Sequence, residues 1–316
     1  MIMRHKTVQA RAGRPTPART RSRRRRYLVA LGFILPAALY IVVFFGYPLV
    51  YNFAMSFQDY TPRSFYTGEA PFVGLENYRK ILSSPIFQPA VLHTIVFTVG
   101  SIVFQFGIGL ALALYFNRRF PLSNLLRAML LLPWLLPLIV SSAIWRWMFD
   151  KDFGVINYFI RLLPGVDTGA PWLTNGKWAL AAVVIANIWI GIPFNMVILY
   201  GGLQGIAETI YEAAKLDGAN AWQSFRYMTW PLLKPVTLVV LMLGLVYTIK
   251  VFDVIMGLTG GGPANQTQTL TTWSYQYSFS LFQFGPGAAV SSLLVLFAAI
   301  IALFYLRSLR RSSDGS

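Results

Sequence analysis

Six apolar segments follow one another along the chain, and each is long enough to cross a lipid bilayer as a helix. Their approximate ranges are 28–51, 91–116, 125–148, 178–203, 235–258 and 287–307. About 20 helical residues span the hydrocarbon core, where a backbone must satisfy its own hydrogen bonds. Pro133, Pro137 and Pro193 lie in the third and fourth segments, and membrane helices tolerate such prolines as kinks. The sequence therefore predicts an all-α integral membrane protein with six transmembrane helices.

The composition agrees with a membrane location and excludes several kinds of chemistry. Only 12% of the 316 residues are charged, whereas soluble domains carry about 25%. The chain has no cysteine, and its two histidines are His5 and His93. A disulfide framework and a thiolate metal site are therefore excluded. No carboxylate pair, metal-ligand cluster or Gly-x4-Gly-Lys-Ser/Thr phosphate motif stands out. We expect no catalysis, no metal and no cofactor in this chain.

The formal net charge of +16 is distributed unevenly between the two sides of the predicted membrane domain. If the N-terminus is cytoplasmic, the inside segments hold 19 basic residues against four acids. The outside segments then hold seven basic residues against six acids. Because basic residues are enriched on the cytoplasmic side of membrane proteins, both termini are predicted to be cytoplasmic.

The domain organisation follows from the same pattern. Residues 1–27 carry ten Lys or Arg and no acid, which predicts a disordered basic cytoplasmic tail. Residues 28–307 form the predicted membrane domain, and 308–316 form a second cytoplasmic tail. The first tail could instead be a nucleic-acid arm. An Arg cluster directly before a span fits orientation and contact with anionic lipid better, so we predict membrane lipid and no nucleic acid as its partner.

The predicted cytoplasmic loop 204–234 is too structured to be a linker. Ile206, Ile210 and Ala214 recur at helical spacing, and Gly218 is a natural helix stop. Asn220 can open a second short helix, which Pro231 would end. An amphipathic pair lying on lipid headgroups would be rich in Lys and Arg, but the loop balances three basic residues with three acids. The loop is therefore predicted to dock on a cytosolic protein.

The same loop carries a family resemblance. Glu212-Ala213-Ala214, three residues, Gly218, nine residues and then Met228 to Pro231 resembles the EAA loop of binding-protein-dependent ABC importer permeases. The pattern continues through Asp217 and Ala219, and Phe225 lies within it. Met228 and Trp230 replace the usual Ile and Leu. The resemblance implies that this loop is a coupling helix in a cleft of an ATPase subunit, with ATP and Mg bound by that partner.

Two further stretches resemble the carbohydrate-uptake branch of these permeases, which includes maltose, trehalose and glycerol-phosphate systems. They are the segment from Phe252-Asp253 to Leu258-Thr-Gly-Gly-Gly-Pro263 and the phrase Phe72-Val-Gly-Leu-Glu-Asn-Tyr78. The resemblance implies a type I, maltose-permease-like fold in the inner membrane. It also implies a second, different permease subunit, two copies of a cytosolic ABC ATPase and an extracytoplasmic solute-binding protein. The cargo would be a sugar or a related polyol phosphate.

Polar residues inside predicted spans are candidates for a substrate path, because they are costly in lipid. Asn187 and Gly191 share a helix face in a stretch that resembles the Asn-x-Trp-x-Gly-x-Pro of maltose-type permeases, and Ile190 lies within it. The family places the Asn and Gly beside the sugar. Asn187 could instead hydrogen-bond a neighbouring helix. Trp134, between Pro133 and Pro137, could stack on a sugar or pack in the core.

The fifth span contains further candidates. Gly244 and Thr248 share a face, at about the positions where the family contacts substrate. Lys250 and Asp253 are three residues apart and could form an intramembrane ion pair. The alternative is contact with a phosphate or another polar part of the substrate.

A secondary transporter driven by an ion gradient is the alternative function. That class would favour intramembrane carboxylates or internal repeats. Only Asp253 lies within a predicted span, and no repeat is evident. A membrane assembly protein without transport activity is a third interpretation.

Overall fold

The computed structural model describes residues 18–118, 120–165 and 169–313 and divides the chain into two compact units, Met1–Asn52 and Phe53–Ser316. The described residues form fifteen α-helices: α1 (Ala18–Ile41), α2 (Tyr47–Met55), α3 (Pro62–Thr67), α4 (Glu76–Leu82), α5 (Phe87–Phe116), α6 (Ser123–Leu135), α7 (Leu138–Met148), α8 (Val155–Arg161), α9 (Gly176–Gln204), α10 (Glu208–Leu216), α11 (Ala221–Gln223), α12 (Trp230–Ile249), α13 (Asp253–Leu258), α14 (Leu270–Tyr275) and α15 (Phe284–Ser313). Three π-helical segments cover Val42–Gly46, Ser224–Thr229 and Gln276–Ser280. The described residues contain no named strand, which confirms the all-α prediction.

The two predicted tails are more helical than expected. Helix α1 begins at Ala18, so residues 18–27 of the predicted disordered segment 1–27 are helical, while residues 1–17 lie outside the described residues. Arginine has a high helix propensity, so a spanning helix can continue through a run of arginines into water. Helix α15 likewise continues to Ser313 through most of the predicted tail 308–316, of which 314–316 are not described.

Five helical segments within the described residues are long and apolar enough to cross a membrane. They are Ala30–Met55, Phe87–Phe116, Gly176–Gln204, Ala221–Ile249 and Phe284–Leu303. They correspond to the first, second, fourth, fifth and sixth predicted spans. The third predicted span consists of α6 and α7, which meet the same criteria only as a pair.

The predicted third span is not one kinked helix. Helices α6 and α7 meet at an angle of 97°. Leu136 at the junction is extended, with φ −71° and ψ 140°. A residue before proline avoids the helical region, and Pro137 imposes this on Leu136. Pro133, by contrast, lies inside α6. The junction turns the chain sharply and exposes one edge of the cavity described below.

The fifth span is shifted toward the N-terminus relative to the predicted range 235–258. The π-helical turn Ser224–Thr229 runs directly into α12, and Pro231 lies in the first turn of α12. Pro231 follows the π-helical turn directly, and the chain stays helical through it instead of ending there as predicted. The span then stops at Ile249, and the helix resumes as α13 at Asp253.

The centre of the second unit is the pair α5 and α9, which approach closely at small residues. A Cβ atom added to Gly109 would lie 2.6 Å from the Cβ of Asn195 and 3.1 Å from the backbone nitrogen of Met196. One core cluster packs α5 and α9 against α7 and α13, and it contains Phe97, Trp145, Phe149, Trp172, Val183, Ala186, Ile190, Val254, Ile255 and Leu258. The broken ends of the third and fifth spans therefore lie against this helix pair.

A single buried asparagine organises the loop after α7. The Asn157 side chain is fully buried; its amide donates to the carbonyls of Asp150, Lys151 and Ala170. Its oxygen accepts hydrogen bonds from the Ala170 amide and from Trp172 Nε1. Nearby, backbone N–H groups of Phe153 and Asp152 hold the pKa of Asp150 below its usual value. These bonds join the two described ends of the loop to the core.

Candidate functional site

A cavity of about 510 Å³ opens in the second unit between α5, α9, α12 and the two helix breaks. All the residues predicted for the substrate path and the ion pair line it: Trp134, Asn187, Ile190, Gly191, Gly244, Thr248, Lys250 and Asp253. These residues come from four separate helical elements. The sequence indicated these candidates separately, in three predicted spans. The structure places them all at one cavity.

One wall of the cavity is a row of aromatic rings. The rings of Trp134 and Phe194 have centroids 5.9 Å apart, and those of Phe194 and Tyr247 are 5.7 Å apart. The ammonium group of Lys250 lies 5.4 Å from the centroid of the Tyr247 ring. Trp134 remains half exposed although it touches Phe194, so its ring is available to the cavity. Aromatic faces of this kind can pack against the C–H surface of a sugar.

The polar part of the cavity lining comes from α5 and α9. Gln105 Nε2 donates to the carbonyl of Asn187 at 2.9 Å, and Asn195 Nδ2 donates to the carbonyl of Gly191 at the same distance. The Nδ2 group of Asn187 is buried and has no hydrogen-bond partner among the described residues. The predicted alternative, in which the Asn187 side chain binds a neighbouring helix, is therefore not formed.

The α12 face completes the cavity. A Cβ atom added to Gly244 would meet no other atom within 4 Å, so the absence of a side chain leaves open space there. Thr248, one turn later, is buried and also lines the cavity. The two residues share a helix face, as their spacing predicted.

The predicted ion pair between Lys250 and Asp253 is not formed in the part of the chain that the structure describes. The prediction assumed a continuous helix, in which residues three apart lie on one face. Helix α12 ends at Ile249, and Asp253 instead starts α13. Lys250 lies over Tyr247, and both charged side chains are exposed at the cavity.

The second predicted site, the loop between α9 and α12, folds as two short helices joined by a sharp turn. Gly218 has φ +80°, and its amide donates to the carbonyl of Lys215. The amide of Ala219 donates to the carbonyl of Ala214 at 2.9 Å. These two bonds define a Schellman turn, which favours glycine because of its positive φ. The prediction of a stop at Gly218 is confirmed.

The helix after this turn begins as its sequence predicted. The Asn220 side chain accepts from the Gln223 amide at 2.9 Å, and the Gln223 side chain accepts from the Asn220 amide at 2.8 Å. This reciprocal capping box satisfies two backbone donors at the start of α11. Tyr211 Oη lies 3.1 Å from Thr229 Oγ1, so α10 is tied to the π-helical turn. The loop is therefore a defined folded element.

The motif residues of this loop divide into a supporting set and an exposed set. Ala214 is buried, and Phe225 and Met228 are partly buried; these residues support the fold of the loop. The residues exposed along α10, the turn and the start of α12 are Glu212, Ala213, Asp217, Gly218 and Pro231, and Ala219 is partly exposed. Leu216, which the sequence reasoning missed, is 91% exposed beside them.

A second, polar cavity of about 700 Å³ lies beside this loop. Glu208, Glu212 and Lys215 of α10 line it together with Arg127 of α6. The Arg127 guanidinium lies 4.5 Å from the centroid of the Tyr200 ring. Glu212 thus borders a concave surface of mixed charge.

The polar and aromatic residues of the first cavity that were not singled out from the sequence include Gln105, Phe194, Asn195 and Tyr247. A signal for Gln105 was available, because it is a polar residue within the second predicted span. Nothing in the sequence of α5 alone indicates that Gln105 meets α9.

Phe252 and Asp253, at the start of one of the two remaining family-like phrases, line the cavity, and other residues of the two phrases form connections elsewhere. Phe72 forms an isolated bridge with Gln58, and Tyr78 Oη lies 2.7 Å from Ser56 Oγ. In the Gly-Gly-Pro segment, Thr267 Oγ1 donates to the carbonyl of Gly262 at 2.8 Å. His93 Nδ1 lies 3.1 Å from the Gln268 carbonyl, which links α5 to the end of that segment.

Several apolar helices around a cavity with polar and aromatic walls define a multi-pass membrane protein suited to hold a small polar molecule. Residues 105–313 match the family model described as "Binding-protein-dependent transport system inner membrane component". The chain belongs to this family of ABC transporter permeases and is a multi-pass protein of the inner membrane.

Relatives and solved structures agree with this membership. The chain is 36% identical over 275 residues to the trehalose/maltose transport system permease protein MalF of Thermococcus litoralis, which covers 87% of this chain and 91% of the relative. It is 33% identical to the sulfoquinovosyl glycerol transport system permease protein SmoG of Agrobacterium fabrum, over 90% and 91% of the two chains. A bacterial ABC transporter involved in the import of the acidic polysaccharide alginate shares the fold, with a TM-score of 0.77, 21% identity and coverage of 93% and 99%.

Proposed function

We propose that this chain is one of two permease subunits of an ATP-driven importer for a sugar or a related polyol phosphate. Its six spans, with α6 and α7 together forming the third, would make half of the translocation path. The observation that carries the proposal is the cavity, in which Trp134, Asn187, Gly191 and Thr248 meet. Relatives named as permeases for trehalose/maltose and for sulfoquinovosyl glycerol support the carbohydrate class.

The loop from α10 to Pro231 is proposed to transmit ATPase closure to the cavity. It carries the EAA spacing and is folded, and its motif residues Glu212, Ala213 and Gly218 are exposed. The same chain segment then continues through the π-helical turn into α12, which lines the cavity with Gly244 and Thr248. A rigid-body movement of the loop would therefore act on the cavity wall through a continuous helix, as alternating access requires.

The partners follow from this division of roles. A second permease, different from this one, would supply the other half of the path, and two copies of a cytosolic ABC ATPase would bind ATP and Mg. An extracytoplasmic binding protein would deliver the substrate. A solved alginate importer in complex with a substrate-bound periplasmic protein shares the fold of this chain, with a TM-score of 0.77, which supports this assembly.

Reconstitution tests the proposed function directly. We expect a second permease and an ATPase to co-purify with the affinity-purified chain. We expect proteoliposomes of this complex to import maltose, trehalose, lactose or sulfoquinovosyl glycerol only with internal ATP and the external binding protein. Gradient-driven uptake by the chain alone, without the ATPase, would contradict the proposal and favour a secondary transporter. Import of none of the four sugars would contradict the carbohydrate assignment.

The proposed orientation can be tested with single cysteines, because the natural chain has none. Glu69 follows α3 in a proposed outside loop, and Arg226 lies in the proposed cytoplasmic loop; both side chains are exposed. In intact cells we expect a membrane-impermeant maleimide to label Glu69→Cys, and to label Arg226→Cys only after permeabilisation. Labelling of Arg226→Cys from outside with protection of Glu69→Cys would reverse the topology. As a control, the maleimide should label both cysteine variants in permeabilised cells, which shows that both positions can react.

A further inference from the structure

Gly191 makes room for a side chain of another helix. A Cβ atom added to Gly191 would overlap the amide group of Gln105, which reaches across from α5. The three atoms nearest to such a Cβ atom all belong to this amide. The glycine therefore serves first to admit Gln105 into the wall of the cavity, between α5 and α9.

The orientation of the Gln105 amide follows from its partner. Its Nε2 group faces the backbone carbonyl of Asn187 at 2.9 Å, and a carbonyl can only accept a hydrogen bond. The NH2 edge must therefore face Asn187, which leaves Oε1 on the other edge. Gln105 is only 4% exposed and lines the cavity. Its Oε1 accepts no hydrogen bond from the described residues, so it is the unpaired edge of a side chain that lines the cavity.

Asn187 supplies the complementary group. Its Nδ2 is buried and has no partner among the described residues, and Asn187 lines the same cavity. A buried amide donor without a partner costs about 1–3 kcal/mol, so a site that retains one gains when a ligand fills it. The two residues, already hydrogen-bonded through the Asn187 backbone, thus carry one unpaired acceptor and one buried, unpaired donor at the cavity wall.

We propose that Gln105 and Asn187 form a hydroxyl-recognition pair for the transported sugar, and that Gly191 is the positioning residue that admits Gln105. A sugar hydroxyl can donate to Gln105 Oε1 and accept from Asn187 Nδ2, or two neighbouring hydroxyls can share these roles. Ionised phosphate, sulfonate and carboxylate groups only accept hydrogen bonds, so Gln105 Oε1 disfavours them here. The proposal rests on the proposed function and adds a specificity-determining residue, Gln105, to it.

Gln105→Met tests the pair, since methionine has a similar length and offers no amide. We expect uptake of the sugar that the wild-type complex imports, among maltose, trehalose, lactose and sulfoquinovosyl glycerol, to fall about 10- to 100-fold. Thr98→Val is the matched control, because Thr98 is a buried, unpaired polar residue on the same helix that does not line the cavity. Its uptake should stay within about twofold of wild type.

Monodeoxy analogues of the imported sugar separate recognition from a general structural loss. Wild type should import one analogue markedly more slowly than the parent sugar, and Gln105→Met should import the two at similar rates. The same binding protein delivers every sugar, so a change in this ratio between wild type and variant reports on the permease. An unchanged ratio for all analogues, whether uptake is lowered or retained, would overturn the proposal while leaving the proposed function intact. Uptake by the wild-type complex that does not depend on internal ATP would overturn both.

Gly191→Ala provides a second route if Gln105→Met assembles poorly. The added methyl group should displace the Gln105 amide and lower uptake with the same loss of hydroxyl discrimination. Combining it with Gln105→Ala removes the overlap, so the double variant should recover assembly and thermal stability but not the discrimination. Recovery of the discrimination in the double variant would contradict a role for Gln105.

Discussion

Gly218→Pro is expected to abolish substrate-stimulated ATP hydrolysis and to lower uptake by at least about 100-fold. A misplaced proline costs about 3 kcal/mol, which corresponds to a change of this size. Gly218 has φ +80°, whereas proline fixes φ near about −65°. Proline also lacks the N–H group that donates to the Lys215 carbonyl at 3.1 Å. The Schellman turn cannot form, so α10 and α11 lose the angle that presents the exposed motif residues to the proposed ATPase.

Uptake and ATPase activity of the reconstituted complex measure this effect, with subunit co-purification as the assembly check. Gly68→Pro is the matched control, because Gly68 also follows a short helix, has φ +71° and donates its amide to a carbonyl, that of Ser64. It lies in a proposed outside loop, so its variant should keep ATPase stimulation. Glu212→Ala should reproduce the uptake defect while the complex still assembles. Full ATPase stimulation in Gly218→Pro would contradict the coupling role.

The loop between α9 and α12 could be predicted well from the sequence, because its conformation is set by local chemistry. A glycine stop at Gly218 and a capping pair at Asn220 and Gln223 act within four residues. Such signals need no knowledge of distant packing. Which motif residues are exposed could not be read in the same way, since the burial of Ala214 depends on the fold of the whole loop.

The helix breaks show the limit of sequence reasoning. Pro137 indicated a kink, but the 97° turn between α6 and α7 depends on the packing of α7 against α13, where Ser142 Oγ lies 3.3 Å from the Asp253 carbonyl. Nothing near Ile249 signalled the end of α12, so the predicted Lys250–Asp253 pair assumed a helix that is absent. Tertiary contacts decide these points, and they override a uniform apolar pattern.

Some residues of the cavity could be predicted from the sequence, and others could not, for a related reason. Trp134 was singled out between two prolines, and Asn187 and Gly191 were singled out by polarity, spacing and a family resemblance; all three line the cavity. Gln105 and Tyr247 were missed because their relevance comes from residues on other helices. Gly191 and Gln105 are more than 80 residues apart, and a Cβ atom added to Gly191 would overlap the Gln105 amide. The residue pattern of neither segment indicates this contact.

Gly109→Val is expected to destabilise the membrane domain by about 3 kcal/mol, the upper end of the usual cost of overpacking. A Cβ atom at this position would lie 3.1 Å from the backbone nitrogen of Met196 and 2.6 Å from the Cβ of Asn195. A backbone cannot move aside as a flexible side chain can, so α5 and α9 must separate. Gly107→Val is the matched control on the same helix, because a Cβ atom there would meet nothing within 4 Å.

Thermal unfolding of the two purified variants in detergent measures the difference. Gly107→Val should unfold within a degree or two of wild type, since valine has a helix propensity at least as good as glycine. Gly109→Val should unfold many degrees lower and co-purify poorly with the second permease. Because Asn195, which this glycine touches, also holds the Gly191 carbonyl at 2.9 Å, the separation of α5 and α9 should also distort the cavity wall. Equal stability of the two variants would show that α5 and α9 do not pack through Gly109.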